Sequence, residues 1–302
     1  MIDRDEFLVL PDEEVARLVR QAGPQVCVFP INGTRRWFTL EYGDRRWEDP
    51  LAAYMDIASQ NHIGLYRLFF EHGIDTLLTP FVGPDILARG GYMARIGAEG
   101  FARLVQGEDF LDFYDSFDVR VRFYGNYRQA LAETPYAYLS DLFDSITVRT
   151  QGHARYRLFF GAFANDATET VGRLAIRHFQ QTGEAPDRQT LVSAYYGEYV
   201  EPATLFIGFD RFSAFDYPLL ALGREDMYFT ASPSPYMNAT LLRSILYDHL
   251  FTRSAEDPDY NSLSAEALTE LRRYYHHNRG YAYGVGDLHH GIWTPLQEPP
   301  PP

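Results

Sequence analysis

The sequence predicts a single α/β domain built on a six-stranded, mainly parallel sheet flanked by helices. Three observations lead there. Short apolar runs of strand length recur along the 302-residue chain. Amphipathic stretches with helical spacing lie between them. No internal repeat and no long linker interrupts the alternation, so one core serves the chain.

The strand candidates are Val26–Phe29, Thr76–Thr79, Val119–Tyr124, Leu158–Phe163, Leu205–Phe209 and Met227–Thr230. Such short apolar runs suit strands covered on both faces. Helical spacing marks residues 50–72, 84–106, 166–182 and 187–199. Asp187, directly after Pro186, is the N-cap expected at the start of the last of these. Strands alternating with helices are βαβ units, and open sheets of this kind bind ligands at the carboxyl ends of their strands. The terminal run QEPPPP supports neither a ladder nor a helix. Residues 1–293 are therefore expected to form the domain, and 294–302 a disordered Pro-rich tail.

Composition excludes several function classes. The apolar fraction of 46% suits a globular protein with a sizeable core. Aromatic residues reach 16%, and core packing is the ordinary use for most of these rings. Aromatic faces can also line an apolar tunnel or stabilise a cation. The formal charge of −14 argues against nucleic acid, whose phosphate backbone is gripped by clustered Lys and Arg. It equally disfavours docking on anionic lipid. Cys27 is the only cysteine, so it forms no internal disulfide; its apolar strand predicts a small buried side chain. The acidic N-terminus lacks the apolar stretch of a secretory signal, and no run has the length of a membrane-spanning helix. The expectation is a cytoplasmic protein with no integral membrane segment.

Four constellations carry chemistry-bearing residues. The first follows the first strand: Asn32, Gly33, Thr34, Arg35 and Arg36, within VFPINGTRRWF. Gly33 allows close backbone approach, Thr34 offers a hydroxyl and a cap, and the arginines can grip a diphosphate. A capped helix with solvated arginines and a buried Trp37 explains the same residues equally well. The second, FGAFANDATET, places Asn165, Asp166 and Glu169 after the fourth strand, where they can orient a substrate or a metal. Those residue types are also what a helix start prefers. The third, FIGFDRFSAFDYP, places Asp210, Arg211, Ser213 and Asp216 after the fifth strand, on the same rim. There an arginine and a serine can complete a diphosphate site, and a surface salt bridge is the ordinary alternative. The fourth, GVGDLHHGIW, brings Asp287, His289 and His290, with His276 and His277 nearby. No spacing there matches a metal motif, and loop polarity accounts for these residues.

Taken together, these segments resemble the cis-prenyltransferase ((Z)-prenyl diphosphate synthase) superfamily, in the same order and over nearly the whole chain. FPINGTRRW resembles that family's strand-to-helix diphosphate loop, usually Asp-Gly-Asn followed by Arg and Trp. FEHGIDTLLTPF, FDVRVRFYGN and FGAFANDATETV resemble its second, third and fourth strand segments. DRFSAF through EDMYFT resembles its last substrate segment. The run of matches is similar above all to the diterpene branch of the superfamily.

The resemblance implies an enzyme that ionises a bicyclic C20 allylic diphosphate, of clerodane, halimane or labdane type. It releases diphosphate and quenches the cation with water or another nucleophile, such as a nucleoside. A class II diterpene cyclase would supply the substrate, and the working unit would be a homodimer. By the same resemblance Gly33, Thr34, Arg35 and Arg36 hold the diphosphate, with Arg211 and Ser213 in support. Tyr54 stabilises charge or steers the nucleophile. Chain-elongating members carry an additional arginine before a glycine pair in the last segment. Here the run is IGF, which implies that no homoallylic isopentenyl diphosphate site is present. Mg²⁺ is the implied cofactor, yet Asn32 stands where these enzymes carry aspartate, and an amide brings no anionic charge to a hard cation. Three arrangements follow: a metal held by the diphosphate and another carboxylate such as Asp226, arginines acting alone, or a non-catalytic partner subunit.

Overall fold

A computed structural model describes residues 2–83, 91–254 and 258–295. Six parallel strands form its central sheet: β1 (Val26–Val28), β2 (Thr76–Val82), β3 (Val119–Tyr124), β4 (Tyr156–Ala162), β5 (Leu205–Phe209) and β6 (Asp226–Thr230), in the order β3-β4-β2-β1-β5-β6. All six expected strands are present, and β3 and β5 have the expected bounds. The strand expected at Leu158–Phe163 begins two residues earlier, because Tyr156 and Arg157 pair in register with Val119 and Arg120.

Side chains along the strands alternate between two core layers, as the two-residue period of a sheet covered on both faces requires. Cys27, Phe29, Leu77, Val121, Phe123, Leu158, Phe160 and Ile207 enter one core layer. Val26, Val28, Leu78, Tyr124, Phe159 and Phe206 enter the other. The Cys27 thiol is fully buried, and desolvation drives its pKa upward, so it is inert packing. Most of the aromatic excess is core: Phe123 and Phe143 stack 4.0 Å apart, and Phe70 stacks on Tyr156 at 4.4 Å.

The helices expected at 50–72, 166–182 and 187–199 are found at Pro50–Glu71, Thr168–Thr182 and Arg188–Tyr196. Pro50 occupies the first turn, and the Asp49 carboxylate accepts from the Leu51 and Ala52 N–H groups. Asp187 caps as expected, accepting from Thr190 N at 2.8 Å. Of the stretch 84–106, Gly91–Gln106 is helix, while 84–90 lies outside the described residues. Thr294 and Pro295, which the sequence assigns to the tail, instead pair with Asp287 and Gly286. They belong to an antiparallel hairpin of β7 (Gly286–His289) and β8 (Ile292–Pro295). Residues 296–302 lie outside the described residues. Among the described residues no helix is long and apolar enough to cross a membrane.

The chain runs from β1 to β2 on one side and later to β5 on the other. This makes the gap between β1 and β5 the topological switch point, where the carboxyl ends open a crevice. Arg243 ties the helix Ala239–Tyr247 to the N-terminal segment. It donates to the Leu8 carbonyl at 2.7 Å and to His72 Nε2 at 3.2 Å, and it pairs with Asp12. Asp12 is half exposed and rehydrates if abandoned, whereas His72 is fully buried. Arg243→Leu is therefore expected to cost about 1–3 kcal/mol, the range for orphaned buried polar groups. Urea denaturation measures this, and an unchanged midpoint contradicts it.

Candidate active site

The loop after β1 is shaped by Gly33. Its φ of +77° lies in the left-handed region, and it forms the N-cap of the helix Thr34–Tyr42. A Cβ at this position would stand 2.8 Å from the Phe209 ring and 2.9 Å from Pro233 Cβ. Glycine is thus required by conformation and by space. Phe209 ends β5 and Pro233 follows β6, so three strand ends converge on this residue.

Ser234 fixes the rest of the loop. Its hydroxyl donates to the Pro30 carbonyl at 3.3 Å and accepts from Asn32 N at 3.1 Å, while its own N–H donates to the Asn32 carbonyl at 3.0 Å. Asn61 donates to the Pro235 carbonyl at 3.2 Å, which ties in the helix Pro50–Glu71. Tyr236 donates to Glu41 and ties in the helix Thr34–Tyr42. None of Ser234, Pro233 or Phe209 stands out in the sequence, because their roles arise only where strand ends meet.

The arginines occupy this rim. Both terminal nitrogens of Arg36 lie 3.3 Å from one Asp210 carboxylate oxygen, and its guanidinium sits 5.1 Å from the Phe209 ring centroid. Asp210 is itself held in a left-handed conformation, φ +69°, by its N–H bond to the Thr230 carbonyl. Phe209, the last residue of the run that lacks the elongating enzymes' arginine, thus becomes the platform for Arg36. Arg35 is exposed at the first turn of the helix, and Arg211 and Ser213 are exposed in the turn after β5, where Ser213 N donates to the Arg211 carbonyl at 2.8 Å. The first N–H groups of the helix Thr34–Tyr42 precede its ladder, which begins with Trp37 N donating to the Gly33 carbonyl. Guanidiniums beside such a helix start have the donors and charge to hold an anion.

Beside this rim a cavity of about 210 Å³ enters the core. Ile31 and Thr34 of the loop stand at one end, and rings of Tyr54, Tyr66, Phe81, Phe101, Phe110 and Phe160 form much of the wall. Tyr54 packs edge-on against Phe38, with centroids 5.2 Å apart. The helix Pro50–Glu71 contributes Tyr54, Met55, Ala58, Ser59, His62 and Tyr66, a stripe of helical spacing. His62 is the residue that sequence reasoning missed; the available signal was an imidazole set into this otherwise apolar and hydroxyl-bearing stripe. Its Nε2 lies 3.4 Å from Thr34 Oγ1, and burial pushes its pKa down to about 4. The same effect raises the Tyr66 phenol, so both rings enter the cavity uncharged at neutral pH.

Other sequence candidates do not converge here. Asp226 opens β6 and therefore stands at the amino edge of the sheet, about 13 Å along the strand from its carboxyl end. There it bonds to His249 Nδ1 at 2.7 Å and pairs with Arg253 at 3.4 Å. The parallel register with β5 places Asp226 opposite Leu205 and removes it from this rim. Asn165 and Asp166 are exposed after β4, which β2 separates from β1 by about 10 Å in all. Asp166 accepts from Thr168 N at 2.9 Å, which lowers its pKa and closes a local turn just before the helix Thr168–Thr182. Asp287, His289 and His290 are exposed in the β7–β8 hairpin, and His276 and His277 end an exposed helix. Among the described residues no three His, Cys, Asp or Glu side chains converge to hold a metal.

Comparison with known proteins agrees with this fold. The chain is 42% identical to tuberculosinyl adenosine transferase of Mycobacterium tuberculosis, over 97% of this chain and 98% of that protein. It is 26% identical to (+)-kolavelool synthase of Herpetosiphon aurantiacus, over 96% and 94% of the two chains. Among solved structures it is similar to lavandulyl diphosphate synthase of Lavandula x intermedia in complex with dimethylallyl diphosphate. The TM-score is 0.57 at 14% identity, covering 79% of this chain and 98% of that one. A probable undecaprenyl diphosphate synthase of Campylobacter jejuni gives 0.54 at 12%, covering 78% and 98%. No family model matches the chain.

Gly33→Ala forces a Cβ into the Phe209 ring and strains the left-handed cap. It is expected to cost about 1–3 kcal/mol and to weaken inorganic diphosphate binding about tenfold or more. Thermal unfolding and titration calorimetry read the two effects; wild-type diphosphate affinity in a folded variant contradicts the placement of the site.

Proposed function

From the premise that the chain belongs to the cis-prenyltransferase superfamily, on the branch of tuberculosinyl adenosine transferase, we propose that it is a diterpene synthase. It ionises a bicyclic C20 allylic diphosphate of clerodane, halimane or labdane type. It releases inorganic diphosphate and captures the cation with water, giving a tertiary allylic alcohol. The observation that carries this reading is the union of an anion grip and an aromatic cavity through one residue: Thr34 belongs to the loop and lines the cavity.

The division of labour follows from charge. Arg35, Arg36 and Arg211, with Ser213 and the N–H groups around Gly33 and Thr34, take the negative charge that grows on the leaving diphosphate. Arg36 leaves Asp210 in part when a stronger anion arrives. On the hydrocarbon side, the rings of Tyr54, Phe81 and Phe160 face the developing cation and keep bulk water away. A C20 skeleton needs more room than about 210 Å³, since ligand pockets commonly enclose ~300–1,000 Å³. Met55, flexible and unbranched, is the wall residue suited to yield.

Mg²⁺ accompanies this chemistry in the expectation drawn from the resemblance. A hard cation seeks several carboxylate or carbonyl oxygens. The loop offers the neutral Asn32 amide, while Asp210 is engaged by Arg36 and Asp226 is at the far edge. This donor set does not fit a protein-held Mg²⁺. Charge neutralisation therefore falls to the arginines. The substrate would come from a class II diterpene cyclase and the enzyme would act as a homodimer.

A second reading, transfer of the diterpenyl group to a nucleoside such as adenosine, is favoured by the name of the 42% identical relative. A non-catalytic partner subunit has Asn32 in its support, but an intact arginine rim has little use in a silent chain. Incubation with the three classes of bicyclic diphosphate, with and without adenosine, decides among them by diphosphate release and product mass. Release no faster than the spontaneous rate with every substrate overturns the enzyme reading. Gly100→Leu fills the cavity against Met55, where even a Cβ lies 3.1 Å from Met55 Cε. Product formation is expected to fall about tenfold or more while inorganic diphosphate affinity stays within about threefold. Asn32→Asp is expected to make diphosphate release more dependent on Mg²⁺, read by turnover across a chelator titration.

A further inference from the structure

We infer that His62 accepts, by way of the Thr34 hydroxyl, the proton lost when water captures the diterpenyl cation. The inference rests on the synthase reading above and deepens it by naming the proton acceptor. Its basis is a juxtaposition: an imidazole in the wall of the hydrocarbon cavity, with Nε2 3.4 Å from the hydroxyl that joins the cavity to the diphosphate loop. That separation is loose, as such contacts often are before substrate fills a site. Thr34 is buried, so its hydroxyl has no bulk water to turn to.

The chemistry of the site makes a neutral imidazole suitable. A charged imidazolium would repel the cation that the cavity must hold. Burial disfavours that form, and His62 stays uncharged until a proton is delivered. An imidazole of lowered basicity is still adequate, because a protonated alcohol is a far stronger acid than any imidazolium. The polar side chains beside it, Tyr54, Ser59 and Tyr66, are hydroxyls and much weaker proton acceptors.

The step balances. The allylic C–O bond breaks with its electron pair on the diphosphate. A water oxygen donates a lone pair to the tertiary carbon, forming the new C–O bond and an oxonium. The oxonium O–H bond breaks toward Thr34 Oγ1 as the Thr34 proton moves to His62 Nε2. The reverse relay then delivers one proton to the departing diphosphate. A tertiary ring nitrogen, by contrast, attacks a cation without losing a proton and needs no acceptor. A base at this place therefore matches water better than a heterocyclic nitrogen.

His62→Gln keeps a polar partner for Thr34 and removes the base; His62→Ala makes room for an added one. Each is incubated with the diphosphate that wild type turns over, reading diphosphate release and the share of alcohol against olefin. With either variant, release is expected to stay within about threefold while the alcohol share falls about fivefold or more. Imidazole added to His62→Ala restores the alcohol, whereas thiazole, of similar size but weakly basic, does not. An unchanged alcohol share in His62→Gln, or equal rescue by thiazole, overturns the inference while leaving the synthase reading in place. A wild-type enzyme that releases no diphosphate from any substrate overturns both, and is recognised as such before any variant is compared.

Discussion

Gly33 packs against the Phe209 ring and Pro233 so closely that no side chain fits between them, and it does so in a left-handed turn. That contact locks together the ends of β1, β5 and β6, which arrive from three distant parts of the chain. Without it, Arg36 has no platform and Thr34 does not reach the cavity. Ser234 secures the same junction by bonding the loop backbone on both sides of Asn32. A diphosphate grip at this point depends on a backbone that cannot relax, because charge stabilisation is strongest when donors are already in place.

The sheet explains why the junction lies where it does. Connections leave β1 in one direction for β2 and, later, in the other for β5, so the carboxyl ends part between β1 and β5. Polar residues after β1 and β5 line this gap, while the strands beneath are buried and apolar. Rigid strands hold the loops, and the loops carry the chemistry. In the proposed site Asn32 brings no anionic charge, so charge neutralisation is assigned there to guanidiniums and helix N–H groups.

Two environments meet within a few ångströms. On one side lie exposed arginines and a helix start; on the other lies an aromatic cavity that keeps His62 neutral. An allylic diphosphate has this same division, an anionic head and an apolar body whose charge turns positive as the head departs. Thr34 stands on the border, and its hydroxyl is the shortest route between the two.

The alternation of apolar runs and amphipathic helices suffices to predict the parallel α/β sheet, since strands buried on both faces read as short continuous apolar runs. VFPINGTRRWF likewise marks a candidate loop, because a glycine, a capping hydroxyl and two arginines are contiguous in the chain, though a capped helix explains the same residues equally well. Partnerships across the chain leave no such local mark. Asp226 follows an acidic neighbour in a familiar-looking segment, yet strand direction carries it to the opposite edge of the sheet. Asp166 is taken up in a local turn before a helix for an equally local reason, a bond to the second residue ahead. Pairing of Arg36 with Asp210, 174 residues away, and the meeting of His62 with Thr34 were decided only by tertiary structure. Local periodicity records which faces are buried; only the folded topology decides which buried and rim residues share a site.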